Sequence, residues 1–173
     1  MTQTQIETER LIAKTLTTDE LKEFAISPGN IAVKMNISIP PGEPDAALSD
    51  AIVNFLLPGT DGSGPDYLFY TLWLIIEKQT REMTGSFCFH GKPENRTVEV
   101  GYGINPLFRN RGYITEMLTG IIGWVQQRGD IDFLTAETET ENIPSKKALE
   151  KAGFTLTEIK ENGLIYSIRL TNL

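Results

Sequence analysis

The sequence predicts a mixed α/β fold whose central sheet is twisted, mostly antiparallel and built from six to seven strands. Residues 67–77, 82–90 and 97–104 are strand-like segments joined only by short polar turns, a pattern that predicts an antiparallel meander. Apolar side chains then repeat at helical spacing over residues 113–127, and another strand-like segment follows at 131–138. A strand, a helix and a strand in this order predict a parallel crossover.

The N-terminal segment predicts a strand followed by a short helix. Residues 6–16 are the strand candidate. Thr17 and Glu20 have the spacing of a capping box, in which each side chain satisfies a backbone amide of the other residue. The helix that begins there is expected to stop at residues 27–30, which are rich in turn formers.

The next part of the chain predicts one amphipathic helix and a loop. Residues 31–39 do not distinguish a helix from a strand. Apolar positions at helical spacing predict a helix over 45–57, and the proline and glycines of residues 58–66 predict a loop after it.

The C-terminal part predicts a helix and a hairpin. The helix over residues 143–152 ends at Gly153, a usual position for glycine after a helix. The segments 154–159 and 164–170 then read as two strands of a closing hairpin.

Length and composition indicate one domain over residues 1–173. A chain of 173 residues buries a substantial core without disulfides or metals. Cys88 and His90 are the only cysteine and histidine, which excludes an internal disulfide and argues against any metal site of the zinc type. The net charge of −7 disfavours binding to nucleic acid or to an anionic membrane surface.

The sequence also favours a cytoplasmic protein. Its first ten residues lack the basic and apolar regions of a secretory signal. The most apolar run, residues 67–76, is about half as long as the roughly 20 residues of a membrane-crossing helix. A monomer and a homodimer both remain open.

The first candidate site is the glycine-rich segment 101–114, which runs from a strand into a long helix. Gly112 lets the backbone approach a ligand, the free amides of the first helical turn attract anions, and Arg109 and Arg111 add positive charge. The alternative is a glycine turn that only starts a helix, with two solvated arginines.

Two further candidates flank this segment. Asn142 and Ser145 stand at the start of a helix, where capping is the alternative to a functional role. Glu99 shares a strand face with Gly101 and Gly103, which leaves room for a ligand beside the carboxylate, although an exposed strand glutamate is ordinarily just solvated.

Together these segments resemble the GNAT superfamily of N-acetyltransferases, and most closely its ribosomal-protein-alanine acetyltransferase type. Four spaced motifs carry the resemblance: Glu99-Val-Gly-Tyr102, Arg109-Asn-Arg-Gly-Tyr-Ile-Thr-Glu116, Asn142-Ile-Pro-Ser145 and Leu149-Glu-Lys-Ala-Gly-Phe154. The strong resemblance covers residues 72–170, and the first 66 residues match mainly in the order of elements. It implies a GNAT-like fold with the crossover at the cofactor site.

The resemblance also implies a reaction and a cofactor. An acetyl group would pass from acetyl-coenzyme A to a primary amine, on a protein N-terminus or a small molecule, by direct attack in a ternary complex. The pyrophosphate would be wrapped by one segment: Arg109, Asn110, Arg111, Gly112, Tyr113 and Ile114. Ile114 stands where the family has a small residue, and its place on the apolar helix face predicts that it points inward.

The remaining roles follow from the same resemblance. Backbone amides near Gly103 and Ile104 would hold the thioester carbonyl, and Asn142 would orient the pantetheine arm. Glu99 would accept a proton from the amine through water, and Ser145 would face the departing sulfur. Two other functions stay open, a non-catalytic acyl-coenzyme A sensor and an acidic protein-interaction domain.

Overall fold

The computed structural model describes residues 4–41, 45–60 and 64–171, and these contain one eight-stranded sheet. Its strands are β1 Gln5–Glu7, β2 Leu11–Thr15, β3 Trp73–Glu77, β4 Met83–Phe89, β5 Thr97–Ile104, β6 Phe133–Thr138, β7 Thr155–Ile159 and β8 Leu164–Arg169. The spatial order is β1-β2-β3-β4-β5-β6-β8-β7, and β5–β6 is the parallel pair among otherwise antiparallel neighbours. The predicted fold class, meander, crossover and closing hairpin are therefore confirmed, with one strand more than expected.

Helices cover both faces of the sheet. The α-helices are α1 Thr18–Ile26, α2 Pro28–Met35, α3 Ala46–Ala51, α4 Leu57–Thr60, α5 Tyr113–Gln126 and α6 Ile143–Lys151. A π-helical segment, Ile52–Leu56, joins α3 to α4, and short 3-10 helices lie at Gly64–Phe69 and Pro106–Phe108. The predicted capping box starts α1, since Thr17 accepts from the Glu20 amide at 3.3 Å and donates its own amide to the Glu20 carboxylate at 2.8 Å.

The additional strand arises because the prediction of one strand over residues 6–16 is wrong. Thr8 closes a turn: its amide donates to the Leu11 carbonyl at 2.9 Å and its hydroxyl accepts from the Leu11 amide at 3.2 Å. The turn folds β2 back on β1 and leaves Glu9 and Arg10 exposed. Ile6 and Leu11 are both buried in one cluster, which a continuous strand would not allow for residues five apart.

Three other boundaries differ from the sequence prediction. The helix expected over 45–57 continues to Thr60, because its π-helical turn, in which the Leu57 amide reaches the Ile52 carbonyl, leads into Pro58 without a break. The strand expected over 67–77 begins only at Trp73. Residues 27–30 end α1, but α2 begins there at once and accounts for much of 31–39. The centre of the predicted 58–66 loop, residues 61–63, lies outside the described residues.

The sheet separates two apolar clusters. The main cluster lies on the face covered by α5 and α6, and it includes the stacked pairs Trp73–Phe87 at 5.2 Å and Phe89–Trp124 at 5.7 Å between ring centroids. The second cluster lies on the opposite face under α1, α2 and the π-helical segment. As predicted, α5 buries one apolar face, which consists of Met117, Leu118, Ile121 and Val125. The even-numbered residues of β5 face the main cluster, and no residue of β5 belongs to the second cluster.

Ile114, in the first turn of α5, is half-buried and packs against the main cluster. We expect Ile114→Ala to lower the free energy of unfolding by about 2 kcal/mol, the low end for removing a buried aliphatic side chain. Thermal unfolding measures this loss. The matched control is Ile26→Ala, whose side chain is 87% exposed and should cost little. Equal stability of the two variants would show that Ile114 does not pack inward.

Candidate active site

The parallel strands β5 and β6 separate after three residues. They pair at Thr97–Phe133, Val98–Leu134 and Glu99–Thr135, and then β5 continues to Ile104 while β6 continues to Thr138 without pairing to it. The opening between them lies at the carboxyl ends of both strands, where ligands bind in parallel α/β sheets. Glu99 is the last paired residue on β5 and therefore lies at the point where the strands part.

Backbone amides of β5 point into this opening. Hydrogen bonds from the His90 amide to the Glu99 carbonyl and from the Asn105 amide to the Thr84 carbonyl, both 2.9 Å, show that odd-numbered residues of β5 bond to β4. The alternation of an antiparallel ladder then directs the amides of Tyr102 and Ile104 toward the opening. From the sequence, the amides near both Gly103 and Ile104 were expected to face the ligand, but the Gly103 amide faces β4.

The segment between β5 and α5 forms a tight turn at the same end of the sheet. Asn110 and Gly112 have positive φ angles of 61° and 75°. Gly112 is the N-cap of α5 and offers no side-chain cap, whereas α1 and α6 each begin with one. The first amides of α5 are thus left for an external acceptor. The flanking Arg109 and Arg111 are exposed, as the first candidate site requires.

The start of α6 faces the opening from the β6 side. Asn142 caps the helix by accepting from the Ser145 amide at 3.2 Å, so the structure supports the capping alternative for Asn142. The Ser145 hydroxyl takes no part in this cap. It shares a hydrogen bond of 2.8 Å with the Tyr102 hydroxyl, which joins β5 to α6. Burial raises the pKa of Tyr102, so the phenol stays protonated at neutral pH.

Glu99 has a partner that the sequence did not indicate. Its Oε1 lies 2.9 Å from Nδ1 of His90, and both side chains are partly exposed. Hydrogen bonds to Cys88 and Glu99 raise the pKa of His90 to about 10, so the imidazole is positively charged at neutral pH. The hydrogen bond from His90 lowers the pKa of Glu99, although burial opposes the shift. The two groups therefore form an ion pair.

Glycine and aromatic side chains shape the surroundings of this ion pair. A Cβ on Gly101 would lie 2.6 Å from Nε2 of His90, so a larger residue at this position would displace the imidazole from where it now lies. The Phe55 ring lies 6.1 Å from both the His90 and the Tyr70 rings. No atom lies within 4 Å of a Cβ built on Gly103, which keeps the same strand face open beyond Glu99.

Sequence reasoning missed His90 and the hydroxyl of Tyr102 as site groups. The predicted turn at residues 91–96 would place His90 opposite Thr97. The chain instead turns at Asn95 and Arg96, where Glu94 pairs with Thr97, and the three residues 91–93 bulge opposite the single residue Val98, so that His90 lies opposite Glu99. For Tyr102, the one available signal was that a buried phenol needs a hydrogen-bond partner.

Within residues 4–41, 45–60 and 64–171, no three histidine, cysteine, aspartate or glutamate side chains are grouped so that they could hold a metal ion. In the same ranges, no helix has the length and apolar content needed to cross a membrane.

Comparison with known proteins shows the family to which the chain belongs. The family model of the acetyltransferase (GNAT) domain matches residues 10–155. The Bacillus subtilis protein YjdG, an uncharacterized N-acetyltransferase, is 38% identical over 85 residues, which are 49% of this chain and 51% of that protein. The chain thus matches about half the length of such curated relatives.

Solved structures share the fold at low sequence identity. RimL, the ribosomal L7/L12 alpha-N-protein acetyltransferase in complex with coenzyme A, has a TM-score of 0.65 and 16% identity, covering 96% of this chain and 98% of RimL. The ribosomal-protein-S5-alanine acetyltransferase from Vibrio fischeri has a TM-score of 0.64 and 12% identity, covering 96% and 97%. Because the family model spans well over half of the sequence, the chain belongs to the GNAT family of acetyltransferases.

Proposed function

We propose that the protein transfers an acetyl group from acetyl-coenzyme A to a primary amine by direct attack in a ternary complex. The observation that carries this proposal is the opening between β5 and β6. It has free amides on one wall, the uncapped start of α5 at its end, and the Glu99 carboxylate at the point where the strands part. Such a site can hold an anionic cofactor and an amine side by side.

The residues of the opening fit coenzyme A. The first amides of α5, together with Arg109 and Arg111, would hold the pyrophosphate, with Gly112 leaving the backbone accessible. Ile114 packs toward the main cluster and so does not occupy this space. Asn142 keeps its side-chain NH₂ for the pantetheine arm, because only its oxygen serves in the cap.

Acetyl-coenzyme A supplies an acetyl group activated as a thioester. The amides of Tyr102 and Ile104 would donate to its carbonyl oxygen and stabilise the negative charge that develops there. The paired hydroxyls of Tyr102 and Ser145 stand on the β6 side of the opening, where they can donate to the departing sulfur. A thiol with a pKa near 8.5 leaves readily, so this contribution is modest.

The protonation states of the ion pair favour an acceptor amine with a low pKa. His90 is already protonated and cannot accept a proton, and Glu99 is a weak base because its pKa is lowered. An α-amino group with a pKa near 7.8 is already about 10% neutral at pH 7, whereas a lysine is almost entirely charged. We therefore propose a protein or peptide N-terminus, or a small amine of similar pKa, as the acceptor.

Cofactor binding is tested at Gly112. We expect coenzyme A at 100 times its Kd to stabilise the wild-type protein by about 2.7 kcal/mol in thermal unfolding, and Gly112→Leu to abolish this stabilisation. The matched control is Gly129→Leu. Gly129 has a similar φ of 71° and open space around it, so both variants pay the same backbone strain. Stabilisation retained by Gly112→Leu would place the cofactor elsewhere.

Turnover tests the role of Glu99. In a thiol-release assay with N-terminal peptides, lysine peptides and polyamines, we expect the N-terminal peptides to react fastest. Glu99→Gln should lower turnover by roughly 100-fold at pH 6.5, the low end for a general base, and by less at pH 9, where the amine arrives unprotonated. The control His90→Gln keeps the carboxylate and should lower turnover by less than about tenfold.

Other outcomes of these assays identify the alternatives. A loss that does not change with pH would mean that Glu99 binds the substrate and does not relay a proton. Coenzyme A binding without thiol release for any amine would favour an acyl-coenzyme A sensor. No thermal shift at millimolar coenzyme A would favour a protein-interaction domain.

A further inference from the structure

We infer that Arg10, in the turn between β1 and β2, is a positioning residue for coenzyme A. The residue lies about 100 positions before the loop of the proposed cofactor site and outside the motifs found in the sequence. The inference rests on the proposed function, because it concerns the shape and charge of the same loop. Through Arg10, the N-terminal hairpin directly influences the affinity of the loop for the cofactor.

Arg10 joins the hairpin to the first turn of α5 through Glu116. Its Nε donates to Oε2 of Glu116 at 2.6 Å, and its backbone amide donates to Oε1 at 2.8 Å. The Thr8 hydroxyl donates to the same Oε1 at 2.6 Å. Although burial opposes it, these hydrogen bonds lower the pKa of Glu116, so the carboxylate is ionised and fully engaged by the hairpin.

The other nitrogens of the Arg10 guanidinium reach the cofactor loop itself. Nη1 donates to the Arg111 carbonyl at 3.0 Å, which fixes the peptide just before Gly112. Nη2 lies 3.6 Å from the position that a Cβ on Gly112 would take. The guanidinium also lies over the Tyr113 ring, 4.7 Å from its centroid. One side chain therefore contacts Arg111 and Tyr113 and lies beside Gly112, which stands between them.

These contacts have an electrostatic consequence for an anionic ligand. A free carboxylate at Glu116 would repel phosphates at the start of α5, and Arg10 neutralises it. The same guanidinium brings positive charge beside the backbone of Gly112. The net charge of −7 disfavours the approach of an anionic ligand. Positive charge at the cofactor loop therefore contributes more to binding than it would in a basic protein.

The hairpin is held against α5 independently of Arg10. A Cβ on Gly120 would lie 2.8 Å from Cγ2 of Thr8 and 3.1 Å from Cγ2 of Ile6, so these hairpin side chains pack closely against the helix backbone at that level. Ile6 is itself buried in the main cluster. We therefore expect the fold to remain stable without the Arg10 side chain, while the start of α5 loses the hydrogen bonds to Glu116 and to the Arg111 carbonyl that hold it.

The test compares Arg10→Met with Arg96→Met. Arg96 is a matched control, since its side chain is similarly exposed, 49% against 43%, and it forms an ion pair with Asp132 far from the loop. We expect Arg10→Met to weaken coenzyme A binding in calorimetry, and to raise the KM for acetyl-coenzyme A, about tenfold with kcat within twofold of wild type. Arg96→Met should leave both values unchanged.

Experiments with pantetheine distinguish a loss of loop positioning from a general structural effect of the substitution. Pantetheine and acetyl-pantetheine lack the pyrophosphate and adenosine, so their binding and turnover should not change in Arg10→Met. Arg10→Lys keeps the charge but cannot bridge Glu116 and the Arg111 carbonyl, and it should recover only part of the affinity.

Two results would overturn the inference. One is coenzyme A affinity in Arg10→Met and Arg10→Lys equal to that of wild type. The other is an equal loss for coenzyme A and pantetheine. Failure of the wild-type protein to bind coenzyme A would contradict the proposed function, so the two failures are distinguishable.

Discussion

The short pairing between β5 and β6 is the constraint on which the rest of the structure depends. A parallel pair needs a crossover, and α5 provides it, so the start of α5 must lie at the carboxyl end of β5. The pair holds for only three residues, and beyond Glu99 the amides on that side of β5 lose their partner strand. The pairing of these two strands therefore brings three features to one opening: the backbone donors of β5, the start of α5 and the Glu99 carboxylate.

Local charges determine what this opening can do. The protein is acidic overall, yet the loop before α5 has exposed arginines, and Glu116, the nearby acid in its first turn, is bound by the hairpin. On the opposite face of β5, the partly exposed carboxylate of Glu99 is paired with a charged His90. In the proposed function, the first of these regions would bind the anionic cofactor and the second the amine, which is the separation that a two-substrate acetyl transfer requires.

Local sequence patterns correctly predicted the elements that depend only on residues close together in the chain. The capping box of Thr17 and Glu20, the apolar face of α5 and the strand β5 are determined by neighbouring residues, and the structure has all three. The contacts in the candidate site depend instead on how separate parts of the chain meet. His90 meets Glu99 only because residues 91–93 bulge beside Val98, and Arg10 meets Glu116 only because a turn at Thr8 breaks the first strand. The first contact depends on strand register and the second on the position of a turn, and spacing along the sequence determines neither.

Amide-resolved hydrogen exchange with and without coenzyme A tests the central claim most directly, because it reports on each backbone donor separately. We expect coenzyme A to slow exchange at Tyr102 and Ile104 in β5 and at Tyr113, Ile114 and Thr115 in α5. The Gly103 amide, which faces β4, should change little and serves as the internal reference. Protection confined to the face under α1 and α2, with Tyr102, Ile104 and the start of α5 unaffected, would contradict the account.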